Sequence, residues 1–415
     1  MKKILIVEDD QIVANIYRNK FNLEGYEVEV ALDGATGLEL VRSFRPDAVI
    51  LDLILPKMTG VELMKSIRAE PDLQQLPVIV FSNTYLSNMV QEAWKAGATK
   101  CLSKANCTPK QVIDVIRSVC GGGAPAPTAK VAAPTTATIT TPHNGSSHHA
   151  HTETLVVAPA PAPNEADIAF QAELRKVFFE GLPVAVAGLR NSLQALVKSD
   201  DEPARIRHIQ DLYRKVRSLT ANAGVANVPP VAQVSDAVEA LVKDLLEKPK
   251  NVNASTLRTI ASAFDFVHSL AERGSTGLRS HVAPPNVLVV DDEAISRRAI
   301  SYALEKAKLK ALEVSDPTEA CTLLAEQNFD LVFLDVDMPG MNGFELCTKL
   351  RTLPGYKKTP VVFVTSLNDL ESRANSTVSG GNDFIAKPFL FMELAVKALV
   401  YIIRARTEPV RLGMN

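Results

Sequence analysis

The feature that most constrains this chain is an internal duplication, in which two segments repeat the same polar residues at a fixed offset of 283 residues. Each segment carries an acidic pair, a further aspartate, a hydroxyl residue and a lysine, and each of these follows a short apolar run. The matched positions are Asp9 and Asp292, Asp52 and Asp335, Ser82 and Thr365, and Lys104 and Lys387. Chance matches would drift in register, so the sequence predicts one fold used twice as a domain duplication.

The apolar runs predict the fold of both copies. Five runs rich in Ile, Val, Leu and Phe alternate with longer amphipathic stretches in the first segment. They cover 3–7, 26–30, 47–51, 77–81 and 99–103. Continuous apolar runs this short are typical of strands buried on both faces, in a parallel sheet with helices on either side. We therefore expect two α/β domains, each built on a doubly wound, five-stranded parallel sheet.

Composition sets the domain boundaries. The stretch 121–164 is rich in Ala, Pro and Thr, has few charges and contains seven of the 25 prolines, so it predicts a flexible linker. A shorter break with glycines and a Pro-Pro pair runs over 273–285. We define copy 1 as 1–120, the middle domain as 165–272 and copy 2 as 286–415, separated by the linkers 121–164 and 273–285.

Charge, hydropathy and cysteine content exclude several classes of protein. A net charge of −2 argues against a basic protein that coats nucleic acid. No apolar run approaches the roughly 18 residues that span a bilayer, so we expect no membrane insertion. The five cysteines include no CxxC pair, which argues against a disulfide framework or a zinc site and favours a reducing cytoplasm.

The repeated polar residues indicate a binding site in each copy. In an open parallel sheet, residues that follow the strands gather at its carboxyl edge, where such folds bind ligands. The predicted sites comprise Glu8, Asp9, Asp52, Ser82 and Lys104 in copy 1, and Asp291, Asp292, Asp335, Thr365 and Lys387 in copy 2. Three crowded carboxylates repel one another unless a cation joins them, and hard oxygen ligands suit Mg²⁺. The alternative is a set of structural ion pairs, which the five-part repeat disfavours.

Both copies resemble the receiver domain of two-component response regulators, over essentially all of 1–120 and 286–405. The resemblance rests on the acidic pair and on two long motifs. These are Asp52-Leu53-Ile54-Leu55-Pro56-Lys57-Met58-Thr59-Gly60 and Asp335-Val336-Asp337-Met338-Pro339-Gly340-Met341-Asn342-Gly343. It implies a flavodoxin-like fold and Mg²⁺-dependent phosphorylation of Asp52 and Asp335.

The resemblance also implies roles for the other site residues. The implied metal ligands are Asp9, Asp52, Asp292, Asp335, the main-chain carbonyls of Ile54 and Asp337, and, through metal-bound water, Glu8 and Asp291. The implied residues for phosphoryl stabilisation and switching are Ser82, Lys104, Thr365, Lys387 and the aromatic Phe384. Copy 1 departs from the pattern, because it has Cys101 at the aromatic position and Ala105 where copy 2 has Pro388.

In the middle domain, apolar residues that recur at intervals of three and four predict four or five helices of a bundle. The prolines that we expect to separate these helices are Pro183, Pro203, Pro229, Pro230 and Pro249. The run 213–224 resembles the histidine-phosphotransfer helix, but Arg217 stands where the phosphorylated histidine is expected. A guanidinium cannot accept a phosphoryl group, so we interpret the domain as phosphotransfer-like without phosphotransfer.

A basic stripe on this helix has two interpretations. It comprises Arg205, Arg207, Arg214, Lys215 and Arg217. In the first interpretation it is a solvated helix face, balanced by acids elsewhere in the domain. In the second, it docks against an acidic receiver pocket, with Arg217 entering where a phosphohistidine would.

These observations predict a bacterial, cytoplasmic response regulator that takes phosphoryl groups from a sensor histidine kinase or phosphotransfer protein. Few residues follow the last helix, so we expect neither an enzymatic nor a DNA-binding output, but signalling to a downstream protein. Homodimerisation stays open. The alternatives are a phosphate sink, a phosphorelay intermediate and, less favoured, a transcription factor.

Overall fold

The computed structural model describes residues 1–83, 87–105, 107–120, 165–199, 201–274, 284–366 and 379–407. Within these ranges the chain forms two five-stranded parallel sheets with flanking helices, and an all-helical region that lies between them in sequence. The predicted fold class is therefore confirmed. The predicted linker 121–164 and most of 273–285 lie outside the described residues.

Copy 1 contains strands that alternate with helices. Its elements are β1 (Lys3–Val7), α1 (Gln11–Leu23), β2 (Glu27–Ala31), α2 (Gly34–Phe44), β3 (Ala48–Leu51), α3 (Gly60–Ala69), β4 (Val78–Ser82), α4 (Ser87–Lys95), β5 (Lys100–Ser103) and α5 (Pro109–Cys120). The strand order is β2-β1-β3-β4-β5 with every pair parallel. The observed strands agree with the five predicted runs to within one residue at each end.

The sheet of copy 1 is covered on both faces, as its apolar runs predicted. In β1, Leu5 and Val7 pack into one apolar cluster, while Ile4 and Ile6 pack into another on the opposite face. This division follows from the two-residue period of a strand. The edge strand β2 instead exposes alternate residues, because one of its faces reaches solvent.

Copy 2 repeats this arrangement. Its described elements are β6 (Asn286–Val290), α10 (Ala294–Lys306), β7 (Lys310–Val314), α11 (Pro317–Glu326), β8 (Leu331–Leu334), α12 (Gly343–Thr352), β9 (Val361–Thr365), β10 (Asp383–Ala386) and α13 (Phe391–Thr407). The sheet order β7-β6-β8-β9-β10 matches that of copy 1 strand for strand. Both sheets therefore bring their repeated polar residues to the same edge.

The middle domain folds as helices of bundle length. Its helices in the described ranges are α6 (Glu165–Val197), α7 (Glu202–Val225), α8 (Pro229–Glu247) and α9 (Ala254–Arg273). Pro203 and Pro229 lie in the first turns of α7 and α8, as expected of helix starts. None of the helices in the described ranges combines the length and apolar composition that crossing a lipid bilayer demands.

The expectation that Pro183 separates two helices is wrong, because Pro183 lies inside the continuous helix α6. A proline within a helix removes one hydrogen bond and crowds the preceding turn. Here Pro183 is exposed, whereas Leu182, Val186 and Leu189 form a buried stripe at helical spacing. Burial of that stripe outweighs the lost hydrogen bond, so the helix continues through the proline.

Copy 2 and the middle domain share one apolar core. Residues of α8, α9, α10, α13 and the sheet of copy 2 belong to a single cluster. Helix α13 packs against both α8 and α9 as well as α10, and its buried residues lie around most of its circumference. This burial is typical of a helix that is covered on two sides.

A polar contact is enclosed in this shared interface. Glu393 of α13 is buried, and its Oε1 accepts hydrogen bonds from Ser255 Oγ at 2.5 Å and from Thr259 Oγ1 at 3.3 Å. Both hydroxyls belong to α9. A buried carboxyl group needs such donors, since an unpaired polar atom in an apolar interface is costly.

We predict that Ser255→Ala lowers the free energy of unfolding by about 1 to 3 kcal/mol, because it removes the closer donor to a buried carboxyl group. Thermal or urea unfolding of the full chain measures the change. Ser269→Ala is the matched control, since the Ser269 hydroxyl donates within its own helix, to the carbonyl of Phe266 at 2.7 Å. Equal destabilisation by both substitutions would contradict this role for the Glu393 contact.

Candidate functional site

The sheet of copy 1 brings its five predicted site residues to one edge. Glu8 and Asp9 follow β1, Asp52 follows β3, Ser82 ends β4 and Lys104 follows β5. These four strands are neighbours in the sheet, so their carboxyl ends lie side by side. The backbone N–H of Lys104 donates to the carbonyl of Ser82 at 3.2 Å, which joins the last two residues directly.

A buried lysine joins two of the acids of copy 1. Lys104 Nζ lies 2.5 Å from Asp52 Oδ2 and 2.5 Å from Glu8 Oε2, and the Lys104 side chain is 1% exposed. Burial raises the pKa of Glu8 to about 7, although the charge of Lys104 opposes the shift. Burial alone would also raise the pKa of Asp52, but Arg217 and Lys104 outweigh it and hold that pKa below its usual value. Asp52 is therefore held in its ionised form.

The structure also places Arg217 of α7 in this pocket. Its Nη2 donates to Asp52 Oδ2 in a short contact, to Asp9 Oδ1 at 3.0 Å and to the carbonyl of Ile54 at 2.7 Å. Burial opposes the guanidinium charge, but the neighbouring carboxylates of Asp52 and Asp9 raise the pKa of Arg217 above its usual value. Arg217 is thus held in the pocket as a cation.

The hypothesis that the basic stripe docks is right for Arg217 and wrong for two other members. Arg214 and Lys215 pair with Asp211 on their own helix, at 3.6 and 2.8 Å. Lys215 lies about 200° around the helix from Arg217, whereas Arg214 lies nearly one turn before it and is exposed.

Two further hydrogen bonds, at Arg217 and Ser218, hold α7 against copy 1. Ser218 Oγ donates to Asp10 Oδ2 at 2.8 Å, and Asn83 Nδ2 donates to the carbonyl of Arg217 at 2.9 Å. Asp10 also caps α1 by accepting from two backbone N–H groups of its first turn. The docking contact is therefore tied to the loops that follow β1 and β4.

Small residues allow α7 to approach the loop after β5. A Cβ atom added to Gly224 would lie 1.8 Å from the carbonyl oxygen of Lys104 and 3.1 Å from the Cα of Ala105. Ala105 is buried and belongs to the same apolar cluster as the middle domain. The alanine that departs from the receiver pattern in copy 1 thus lies under α7.

Copy 2 assembles the corresponding pocket. Lys387 Nζ lies 2.8 Å from Asp291 Oδ2 and 3.0 Å from Asp335 Oδ2. The backbone N–H of Lys387 donates to the carbonyl of Thr365 at 2.8 Å, as that of Lys104 does to Ser82. Burial raises the pKa of Asp335, with Lys387 opposing the shift. Asp292 is exposed at the mouth of the pocket.

The loop after each central aspartate is built alike. A Cβ atom on Gly60 or Gly343 would lie 2.2 or 2.1 Å from the carbonyl oxygen of Asp52 or Asp335. The glycine of each motif therefore allows the next helix to start against the site. That helix is fixed by a capping box in both copies, Thr59 with Glu62 in α3 and Asn342 with Glu345 in α12.

Both pockets offer an oxygen donor set that suits a divalent cation. The carboxylate oxygens of Glu8, Asp9 and Asp52 lie within 4.8 Å of one another, and so do those of Asp291, Asp292 and Asp335. In copy 1 the carbonyl of Ile54 also faces the pocket, since it accepts from Arg217. Asp337 follows Asp335 at the same spacing as Ile54 follows Asp52. Grouped carboxylate and carbonyl oxygens are the ligands that Mg²⁺ prefers.

The two copies differ at the position in the last strand that Phe384 occupies in copy 2 and Cys101 occupies in copy 1. Phe384 lies in β10 opposite Phe363, and the corresponding Cys101 lies in β5 opposite Val80. Phe384 is partly buried against the core of copy 2. Copy 1 therefore has a small side chain where copy 2 has an aromatic ring.

Comparison with known proteins identifies the family. The model of the response regulator receiver domain matches 4–117 and 287–399, more than half of the chain. The chain therefore belongs to the response regulator receiver domain family. It carries two receiver domains, which correspond to copy 1 and copy 2.

Individual relatives match over one such domain. Protein RcaC of Microchaete diplosiphon is 34% identical over 129 residues, which are 31% of this chain and 20% of RcaC. The transcriptional regulatory protein SrrA of Staphylococcus aureus is 32% identical over 124 residues, 30% of this chain and 50% of SrrA. Among solved structures, chemotaxis protein CheY4 of Vibrio cholerae is 31% identical, with 29% of this chain and 99% of that chain covered and a TM-score of 0.28. The match thus spans a fifth of RcaC and half of SrrA.

Sequence reasoning missed a buried acid behind Arg217. Glu239 of α8 is buried, and its Oε2 has no hydrogen-bond partner among the residues that the structure describes. Burial raises the pKa of Glu239 to about 7, with Arg217 opposing the shift and Asp52 adding to it. The sequence carried little signal for this burial, because Ser235, Asp236 and Glu239 are polar residues that apolar periodicity alone does not distinguish from surface positions.

We predict that Glu239→Gln becomes progressively more stable than wild type as the pH rises. The pKa of Glu239 is higher in the folded chain than the ordinary 4.5, so the folded state holds its proton more tightly. Its contribution to stability is present below pH 4.5 and is lost as the pH rises to about 7, by about 3 kcal/mol. Urea unfolding at several values between about pH 5 and about pH 8 measures the difference.

Glu247→Gln at the exposed end of the same helix is the matched control. A constant difference in stability between Glu239→Gln and wild type over this range would contradict the raised pKa.

Proposed function

We propose that this protein is a two-component response regulator that accepts phosphoryl groups on Asp52 and Asp335 from the phosphohistidine of a sensor histidine kinase or phosphotransfer protein. The observation that carries the proposal is the repeated pocket, in which one lysine bonds the central aspartate and a second acid. Two pockets at the same edge of equivalent sheets support two acceptor sites. The receiver family to which both copies belong supports the same reaction class.

In the proposed reaction, a carboxylate oxygen of Asp52 attacks phosphorus while the bond between phosphorus and the donor imidazole nitrogen breaks. The imidazole keeps the electron pair of that bond and takes a proton from solvent. The lowered pKa of Asp52 keeps its oxygen available for attack. Lys104 and the Ser82 hydroxyl then stabilise the phosphoryl oxygens. Lys387 and Thr365 do the same for Asp335.

The metal in this proposal is Mg²⁺, bound by Asp9, Asp52 and the Ile54 carbonyl, and by the corresponding residues Asp292, Asp335 and the Asp337 carbonyl. Glu8 and Asp291 would help to hold the ion indirectly, through water. When bound, Mg²⁺ supplies positive charge that offsets the negative charge of the phosphoryl oxygens. The crowded carboxylates of both pockets support this assignment.

The middle domain acts, in our proposal, as a phosphotransfer-like docking module without an acceptor. Arg217 lies against the receiver pocket, where a phosphotransfer protein would present its histidine, and it has no lone pair with which to attack phosphorus. This disfavours a phosphorelay intermediate. In this proposal the middle domain also provides a surface for contact with another protein. Output through such a contact requires neither an enzymatic domain nor DNA binding.

We further propose that phosphorylation shifts an existing equilibrium between receiver conformations, which a downstream protein reads in the cytoplasm. Phe384 is the switch aromatic of copy 2. Copy 1 has Cys101 there, and this difference favours a second candidate, in which copy 1 is a phosphate sink. Comparing the lifetimes of the two acyl phosphates separates a sink from a signalling site.

We predict that purified protein incubated with Mg²⁺ and a small-molecule phosphodonor gains two phosphoryl groups. Asp52→Ala and Asp335→Ala each retain one, and the double variant retains none, because each copy supplies one nucleophile. Intact mass spectrometry counts the groups. The controls are Asp47→Asn and Asp330→Asn, whose carboxylates accept from the backbone of Lys3 and Asn286 at the opposite edge of each sheet, at 2.7 and 2.9 Å.

Two outcomes would argue against this assignment. Retention of both groups in the double variant would place the acceptors elsewhere. A single group, lost with only one substitution, would leave the other copy as a docking module.

A further inference from the structure

Arg217 contacts the same oxygens that the proposed function assigns to Mg²⁺ in copy 1. One nitrogen, Nη2, bonds Asp52 Oδ2, Asp9 Oδ1 and the carbonyl of Ile54. The second nitrogen, Nη1, approaches Asp9 Oδ2 at 3.4 Å. A cation supplied by the chain itself therefore takes up the acceptor capacity of these three groups.

The guanidinium is enclosed in the pocket. The Arg217 side chain is 11% exposed, whereas Arg214, three residues earlier on the same helix, is 76% exposed. Lys104 already neutralises part of the pocket, so a divalent cation beside both basic groups would add strong repulsion. Arg217 Nη2 lies between Asp9 Oδ1, Asp52 Oδ2 and the Ile54 carbonyl oxygen, where a cation bound to these same three oxygens would have to lie, so occupancy by Arg217 and by Mg²⁺ exclude one another.

Copy 2 lacks this feature in the described part of the chain. The carboxylates of Asp291 and Asp335 pair there with Lys387, and Arg297 donates to the main-chain carbonyls of Asp291 and Asp292 instead of to their side chains. The Arg217 contact is therefore not a general requirement of the repeated pocket. It comes from the helix that docks on copy 1.

We propose that Arg217 is an internal competitor for the divalent cation of copy 1, so that docking of α7 and Mg²⁺-dependent phosphorylation of Asp52 are mutually exclusive. The inference rests on the Mg²⁺ use in the proposed function. Cation binding displaces Arg217 and weakens the hold of α7 on the pocket. The docked fraction of the protein cannot bind the cation, so the apparent affinity equals the intrinsic affinity multiplied by the undocked fraction.

Displacement of Arg217 also exposes an interaction surface. Ala221 and Val225 of α7 are buried in the same apolar cluster as the helices of copy 1, and Gly224 lies against the Lys104–Ala105 loop. Undocking uncovers this face of α7 together with the pocket. The partner that fits the uncovered pocket is the donor whose phosphohistidine has to reach Asp52.

The test measures Mg²⁺ binding to the full chain by titration calorimetry. All proteins carry Asp292→Asn and Asp335→Asn, so that the titration measures Mg²⁺ binding to copy 1 alone. Two substitutions undock α7 in different ways. Arg217→Ala removes the competing charge, and Gly224→Ala keeps that charge but places a methyl group against the Lys104 carbonyl. Their matched controls are Arg214→Ala and Gly188→Ala, the latter with no atom within 4 Å of the added Cβ.

We expect both undocking variants to bind Mg²⁺ about tenfold more tightly or better, whereas both controls bind like the parent. Gly224→Ala keeps the test informative if Arg217→Ala lowers stability, since alanine favours a helix more than glycine. Hydrogen–deuterium exchange provides a second readout. Mg²⁺ should increase exchange in 211–225 of the parent and leave that segment unchanged in Arg217→Ala.

Equal Mg²⁺ affinity in the parent and in both undocking variants would overturn the competition and leave the proposed function standing. Mg²⁺ binding without any change in exchange over 211–225 would overturn it as well. A complete lack of Mg²⁺ binding in every folded variant would overturn both the competition and the magnesium part of the proposed function.

Discussion

The arrangement of this protein depends on the need to neutralise clustered carboxylates at the carboxyl edge of a parallel sheet. Each copy gathers three acids there, because each acid follows a strand. A lysine after the last strand offsets part of that charge in both copies. The glycine that follows each central motif allows a helix to start against the acidic loop. The repeated residues are therefore those that create the charge, balance it or make space beside it.

The two copies use different surfaces against the same helical domain. Copy 1 turns its pocket toward α7, whose Arg217 adds a second positive charge. Copy 2 turns its last helix, α13, toward α8 and α9, and leaves Asp292 exposed at its own pocket. Duplication thus produced two similar pockets with unequal access. Within the described residues the pockets differ mainly in what lies against them, because their acids differ only in Glu8 of copy 1 and Asp291 of copy 2.

The sequence predicted the strands and the composition of both pockets well, because a residue that follows a buried strand has its position fixed by the sheet. The contact of Arg217 could only be a hypothesis, since the sequence records the charge of a helix face and not the surface that it meets. Three other features were missed. The burial of Glu239 could not be read from the pattern of its helix. Pro183 was expected to end a helix, although burial of the neighbouring stripe keeps α6 continuous. Gly224 carried no local signal, because its role depends on a loop more than a hundred residues away.

The core shared by copy 2 and the middle domain changes how the chain should be divided. By sequence similarity, copy 2 is equivalent to copy 1 and separate from the helices. By packing, α13 belongs as much to the helical domain as to its own sheet. Copy 2 and the helices therefore share one core, and neither part keeps that core complete without the other. The duplicated segments of the sequence are therefore not the same units as the apolar cores of the structure.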